Sequence, residues 1–288
     1  MIDDQIPYDP TKTALLYPEK RPPIADFSAS WELDWVCAEL SRLAYIRFET
    51  GPERKDELIA ALAKAGFGEP GLFNAPKGDA QGFGTMLPDG TAIIAFRGTQ
   101  ADKMEDLVTD ARFWPVGWDG PGQVHLGFRN AYYALRQQVD AWLAGLSGRR
   151  GLVVTGHSLG AAMATLMAAL RPGSTLVTFG SPRVGGRAFA KAFEGRDVRR
   201  YVDCSDFVSR VPPPIFYRHI AERRYVDHAG SVHYPPPDSK AVFKDRWAGR
   251  ALYLRKYALA PGSVPFRSGA DHAPINYVSA LLGRRPGP

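Results

Sequence analysis

Residues 151–170 read GLVVTGHSLGAAMATLMAAL, and the fold reading starts from this stretch. Leu152 to Thr155 is a short run of aliphatic and β-branched residues, the signature of a buried strand. From Leu159 to Leu170 the composition switches to alanine, leucine and methionine, which lose little on entering a helix. Between the two, Gly156-His157-Ser158-Leu159-Gly160 matches G-x-S-x-G. A strand that passes into a helix through so short a link makes a sharp elbow and thrusts the serine hydroxyl out of the sheet. Both glycines have a steric reason, because a side chain at 156 or 160 would meet the neighbouring strand or helix.

Outward from the elbow, strands and helices alternate. Thr175 to Phe179 is read as a strand, Arg187 to Phe193 as a helix and Val198 to Asp203 as a strand, followed by two alternating segments near Arg218 to Val226 and a last helix over Pro274 to Leu282. Upstream, a helix is expected over about Gly127 to Leu146. Gln81 to Leu87 and Thr91 to Phe96 flank Pro88-Asp89-Gly90 as a hairpin, and helical spacing marks Trp31 to Phe48 and Glu53 to Ala65. Such alternation predicts an α/β fold with a mostly parallel central sheet and helices on both faces. Residues 1–25, with five prolines, are expected to run extended as an arm over the surface. No repeat or linker interrupts the chain, so one domain over 1–288 is expected.

A serine hydroxyl is a weak nucleophile until a base takes its proton, so Ser158 calls for a histidine held by a carboxylate. On a doubly wound hydrolase sheet the acid and then the histidine follow the serine in the chain. That order removes His125, which is read as fixing a helix start, and His157. His219, His228 and His233 lie in or beside alternating segments and are read as surface or strand residues. His272, in a polar loop before the last helix, is the candidate base. Asp206 follows the end of a strand, where parallel sheets gather functional groups; Asp203, inside that strand, is its competitor. Asp271 is poorly placed to grip the ring of its own neighbour. For the oxyanion, Leu159 offers a backbone N–H at a helix start, and Thr99, at the end of the strand TAIIAF, offers an N–H and a hydroxyl.

Together these residues resemble the class 3 lipases, the group of the fungal triacylglycerol lipases and their bacterial and plant relatives. The resemblance runs from about Ala38 to Tyr277. It is carried by Ala44-Tyr45, Phe96-Arg97-Gly98-Thr99, Val124-His125-x-Gly127-Phe128, the elbow with Ala161, Phe179-Gly180-Ser181-Pro182-Arg183-Val184-Gly185, Asp206-x-Val208-x-Arg210-Val211-Pro212, and Asp271-His272 ahead of Tyr277. It implies an α/β-hydrolase with Ser158, Asp206 and His272 as the catalytic triad, Thr99 and Leu159 as the oxyanion hole, and hydrolysis of acyl-lipid esters. Triacylglycerols come first, with phospholipase A1, monoacylglycerol lipase and feruloyl esterase activity as alternatives on the same machinery. Phe207 and Ser209 stand where that family usually has prolines. The rival from another class is a hydrolase-shaped binding protein without turnover.

Between Asp102 and Arg112, Met104, Leu107, Val108 and Ala111 share one helical face, and Phe113, Trp114, Val116 and Trp118 follow. One reading docks this helix permanently on the core. The other makes 100–118 a lid, with Met104, Leu107, Val108, Trp114 and Trp118 covering an acyl groove and opening at a lipid–water interface; Asp106 to Asp110 resembles the lid helix of the family.

Composition narrows the remaining classes. With 45% hydrophobic and 23% charged residues, disorder, collagen and coiled coil are excluded. The net charge of +6 is scattered without basic runs, which argues against nucleic acid as a partner. Cys37 and Cys204 are read as buried thiols. No H-E-x-x-H or cysteine pair at ligand spacing suggests a metal, and no cofactor is expected. The longest apolar run is broken by polar residues and glycines, so no membrane span is expected. The acidic N-terminal stretch lacks a basic n-region and apolar core, which leads to the expectation of a cytoplasmic protein or one exported without a leader.

Overall fold

The structure, a computed structural model, describes residues 6–24, 32–76, 80–99 and 114–283. In chain order the helices are α1 (Lys12–Leu16), α2 (Leu33–Leu43), α3 (Pro52–Lys64), α4 (Leu126–Gly145), α5 (Leu159–Ala169), α6 (Arg187–Lys191), α7 (Ser239–Lys256), α8 (Arg267–Ala270) and α9 (Pro274–Leu281). The strands are β1 (Gly71–Asn74), β2 (Gln81–Met86), β3 (Thr91–Phe96), β4 (Pro115–Gly117), β5 (Gln123–His125), β6 (Gly151–His157), β7 (Thr175–Phe179), β8 (Val198–Asp203), β9 (Arg223–Val226) and β10 (Val232–His233).

Among the described residues, eight strands form one sheet in the order β1-β2-β3-β6-β7-β8-β9-β10. The strands β3, β6, β7, β8 and β9 pair in parallel, and antiparallel hairpins close both edges. Parallel strands of this kind are buried on both faces, and their side chains divide accordingly. Ile93, Ala95, Val153, Val177 and Phe179 join one core with α2, α3 and α9. Ala92, Ile94, Phe96, Val154 and Leu176 join the other with α4 and α5. The period of two therefore feeds two cores, and the expected α/β architecture with helices on both faces is what the chain adopts.

Two expectations are corrected, and one helix is added. The helix read over Trp31 to Phe48 stops at Leu43, because the N–H groups of Tyr45 and Ile46 bond three residues back, to Arg42 and Leu43, and tighten the chain into a turn. The arm is not extended throughout: Thr11 caps α1 by accepting the Ala14 N–H at 3.1 Å, and its neighbours bond Gly262 and Val264. Finally, α7 was not foreseen. Asp238 caps it through the N–H groups of Lys240 and Ala241.

Of the lid candidates, Met104, Leu107 and Val108 lie outside the described residues, as does the rest of 100–113. Trp118 belongs to the body: β4 pairs with β5, the indole packs on Phe189 at 5.9 Å between centroids, and its Nε1 donates to the Pro121 carbonyl. Trp114 is exposed and lies against Phe216, 5.7 Å away. Among the described residues, no helix is long and apolar enough to cross a membrane.

Candidate active site

The elbow forms where β6 runs into α5. Ser158 has φ 61° and ψ −125° and is the one non-glycine residue at positive φ among the described residues. Holding an L-residue there costs about 1–3 kcal/mol, and the surrounding packing enforces it. A Cβ at Gly156 would strike the Gly160 backbone, and one at Gly160 would strike the Phe96 carbonyl. Strand β3 thus passes so close to the elbow that only glycine fits.

Ser158 Oγ lies 2.9 Å from His272 Nε2, and His272 Nδ1 lies 2.8 Å from Asp206 Oδ2. A carboxylate only accepts, so Nδ1 carries the proton and Nε2 is left to receive the serine hydroxyl. All three side chains are sealed from solvent, at 0%, 2% and 1% exposure for Ser158, His272 and Asp206. Of the histidines and aspartates weighed in the sequence, these are the ones that the fold joins to the serine.

The class 3 lipase family profile matches residues 93–216, the span from β3 through the elbow to the loop after β8. Over those residues the chain is similar to the class 3 lipases. Its curated relatives include a chloroplastic phospholipase A(1) of Arabidopsis thaliana, 34% identical over 148 residues, which are 42% of this chain and 33% of that protein. A secreted mono- and diacylglycerol lipase of Gibberella zeae is 29% identical over 205 residues, or 63% of this chain and 59% of the relative. The chain therefore spans between a third and three fifths of the length of these two relatives. A crystal structure of a fungal lipase superposes with a TM-score of 0.53 at 25% identity, covering 67% of this chain and 78% of the other. The lipase from Rhizopus microsporus var. chinensis shares the fold, with a TM-score of 0.52 at 24% identity over 67% and 72% of the two chains. The fold is that of the α/β-hydrolases.

Around the Ser–His–Asp chain the fold supplies two supports that sequence reasoning did not assign. Tyr277 donates its hydroxyl to Asp206 Oδ2 at 2.6 Å and accepts the Asp203 N–H at 3.1 Å. Burial, followed by the nearby Asp206 charge, raises the phenol well above its ordinary pKa, so it remains a donor. Asp203 itself turns to the Cys204 N–H, 2.7 Å away. The second support is His157. Its Nε2 lies 2.8 Å from the His272 carbonyl, which only accepts, so Nε2 donates and Nδ1 accepts from Tyr45 Oη at 2.8 Å. Burial and then the neighbouring His272 push His157 well below the usual histidine pKa, which keeps the ring neutral. Tyr45 was quoted in the sequence motif without a role; its part depends on the tight turn that ends α2.

Asp271 does not reach the ring of His272. Its carboxylate accepts from Tyr8 at 2.8 Å, from the Ser205 N–H at 2.8 Å and from Arg267 Nε at 3.0 Å in a buried ion pair. The residue before His272 thus holds the residue before Asp206. Phe207 and Ser209, the departures from the family pattern, also have contacts here. The Phe207 ring packs on His272 at 5.7 Å, and Ser209 Oγ donates to the Asp206 carbonyl at 2.9 Å.

The segment expected to complete an oxyanion hole crosses the elbow. Arg97 is tied to Glu49 at 2.8 Å and to Gln81, and a Cβ at Gly98 would run into Tyr45 Oη and lie close to the Ser158 side chain. Thr99 follows and is buried, while Leu159 opens α5, where backbone N–H groups have no intrahelical partner.

The other histidines lie elsewhere. His125 caps α4 by accepting the Gly127 N–H at 3.1 Å and stacks on Phe128. His219 donates to the Ser209 carbonyl, His228 pairs with Asp245 and His233 with Asp227. Cys37 and Cys204 are buried free thiols. Among the described residues, no cluster of three histidine, cysteine or carboxylate side chains is placed to hold a metal.

Proposed function

We propose that this chain is a serine carboxylic-ester hydrolase acting on acyl lipids. The observation that supports it is the ordered contact from Ser158 Oγ to His272 Nε2 and from His272 Nδ1 to Asp206 Oδ2, at 2.9 and 2.8 Å. Ser158 Oγ attacks the ester carbonyl while His272 Nε2 takes its proton, and Asp206 fixes the ring and offsets the imidazolium charge. Negative charge gathers on the carbonyl oxygen and is met by the Leu159 N–H and by Thr99. Collapse breaks the ester bond, and His272 returns the proton to the departing alcohol. Water, deprotonated by His272, then frees the fatty acid and restores the serine.

The relatives named as mono- and diacylglycerol lipase and phospholipase A(1) support an acyl-lipid ester as the substrate class. Triacylglycerol is the first choice within it. The test is labelling of the full chain with a fluorophosphonate, alongside turnover of triolein, monoolein, phosphatidylcholine, a feruloyl ester and p-nitrophenyl esters of rising length. Labelling that Ser158→Ala abolishes, with turnover of long acyl esters, is the expected result. A folded chain that neither labels nor turns over any ester is a binding protein, and the proposal fails.

A further inference from the structure

Helix α7 presents an outward face that the ester chemistry does not use. Its inward side is fixed by buried Val242, Gly249 and Tyr253. Asp245 also turns inward, accepting from Tyr225 Oη at 2.7 Å, His228 Nδ1 at 2.5 Å and Cys204 Sγ at 3.3 Å, and Arg246 Nε donates to the Cys204 carbonyl at 2.8 Å. These contacts attach α7 beside the carboxyl ends of β8 and β9, the end of the sheet at which Ser158 emerges.

About 120° around the helix from the buried row, Phe243, Trp247 and Leu254 are 62%, 58% and 69% exposed. At about 100° per residue they fall within roughly 40° of arc, so they form one stripe along the helix. The rings of Phe243 and Trp247 touch, 6.3 Å between centroids. Arg250 flanks the stripe on one side, and Lys240, Lys244 and Arg255 flank it on the other, all exposed. None of these four forms an ion pair among the described residues. The helix carries six cations and one carboxylate, the inward Asp245, in a chain whose whole net charge is +6. Charge that looks scattered in the sequence is gathered here on one surface.

Large apolar side chains left in water are unfavourable, and a row of them edged by long cations matches the boundary of a lipid layer. There the rings enter the acyl zone while lysine and arginine stems extend their charges to the headgroups. A face without an outward carboxylate selects negative headgroups. We infer that the outward face of α7 docks this protein onto an anionic lipid surface. The inference extends the reading of the protein as an acyl-lipid hydrolase, since docking holds the serine end of the sheet at its substrate phase.

The test is flotation of the full chain carrying Ser158→Ala, which leaves vesicle lipid intact, with vesicles of phosphatidylcholine alone or mixed with phosphatidylglycerol. Binding to the mixed vesicles is expected to be about tenfold or more tighter than to phosphatidylcholine and to fall with salt. Replacing Lys240, Lys244, Arg250 and Arg255 with glutamine is expected to cost about a hundredfold, and Phe243→Ser, Trp247→Ser and Leu254→Ser together at least about tenfold. Equal binding to both vesicles, or variants that bind like the parent, overturns the inference. Should a multiple variant lose thermal stability, brominated phosphatidylglycerol gives the same answer: it must quench tryptophan emission of the parent more than that of Trp247→Phe, and equal quenching overturns the proposal. A parent dimer that the serine variant splits would make the stripe a contact between copies and overturn it as well. Flotation needs no turnover, so failure of the ester reading leaves this result standing. Loss of docking likewise leaves hydrolysis of soluble esters intact.

Discussion

Tyr277 Oη donates to the Asp206 oxygen that also receives His272 Nδ1, at 2.6 and 2.8 Å respectively. The phenol therefore fixes the carboxylate that fixes the ring. Hydrogen bonds to a charged group contribute about 1.5–3 kcal/mol, and this one matters most when the imidazolium forms. Tyr277→Phe is expected to lower kcat about tenfold or more with little change in KM. Steady-state kinetics on a soluble short-chain ester checks this, and a kcat equal to the parent's shows that the phenol is not needed to hold Asp206.

The two carboxylates that the sequence left in competition are separated by their partners. Asp206 faces His272, whereas Asp203 accepts the Cys204 N–H. Asp206→Ala is expected to reduce kcat by about four orders of magnitude in a chain that still folds. Asp203→Asn retains an acceptor oxygen for that N–H and is expected to stay within about tenfold of the parent. Inactivation by the second change but not the first reverses the assignment.

Thr99 follows the glycine that packs against the Ser158 side chain, and its proposed work begins only when the carbonyl oxygen becomes negative. Thr99→Val removes the hydroxyl at nearly constant volume. Loss of one such donor costs about 2.7–4 kcal/mol in transition-state stabilisation, so kcat is expected to fall about a hundred- to a thousandfold while KM holds. Turnover near that of the parent removes Thr99 from the oxyanion hole.

The central strands and the elbow were legible because their constraints are local. Residues in β3 and β6 feed both cores and read as continuous apolar runs, and the switch from valines to alanines marks the turn at Ser158. Helix α7 was illegible for the opposite reason. Val242 and Tyr253 face in while Phe243, Trp247 and Leu254 face out, so no single apolar stripe shows at helical period. Trp118 misled as well, because aromatic density suggested a cover and ribbon pairing of the adjacent residues is invisible in a single strand. Among the site residues, Ser158, Asp206 and His272 follow from chain order and chemistry. Tyr277 and the Tyr45–His157 pair act across 71 and 112 residues, and no spacing rule announces such contacts.

Three histidines held neutral by burial make the folded state sensitive to acid. Burial lowers His125 from 6.5 to about 4, burial together with His272 takes His157 well below 6.5, and burial together with Arg200 does the same to His219. Once the pH falls below about 6.5, the unfolded chain binds protons that the native rings refuse, so stability is lost toward acid and is insensitive to these groups above neutrality. Each contributes a slope of up to about 1.4 kcal/mol per pH unit below pH 6.5, and His125 gives up its share as the pH nears 4. Urea unfolding from pH 7.5 to 5 measures that slope. His125→Asn keeps a side chain able to cap α4 and is expected to remove about a third of it. If the slope of the variant matches that of the parent, His125 is not neutral in the fold and its burial does not govern the acid limit.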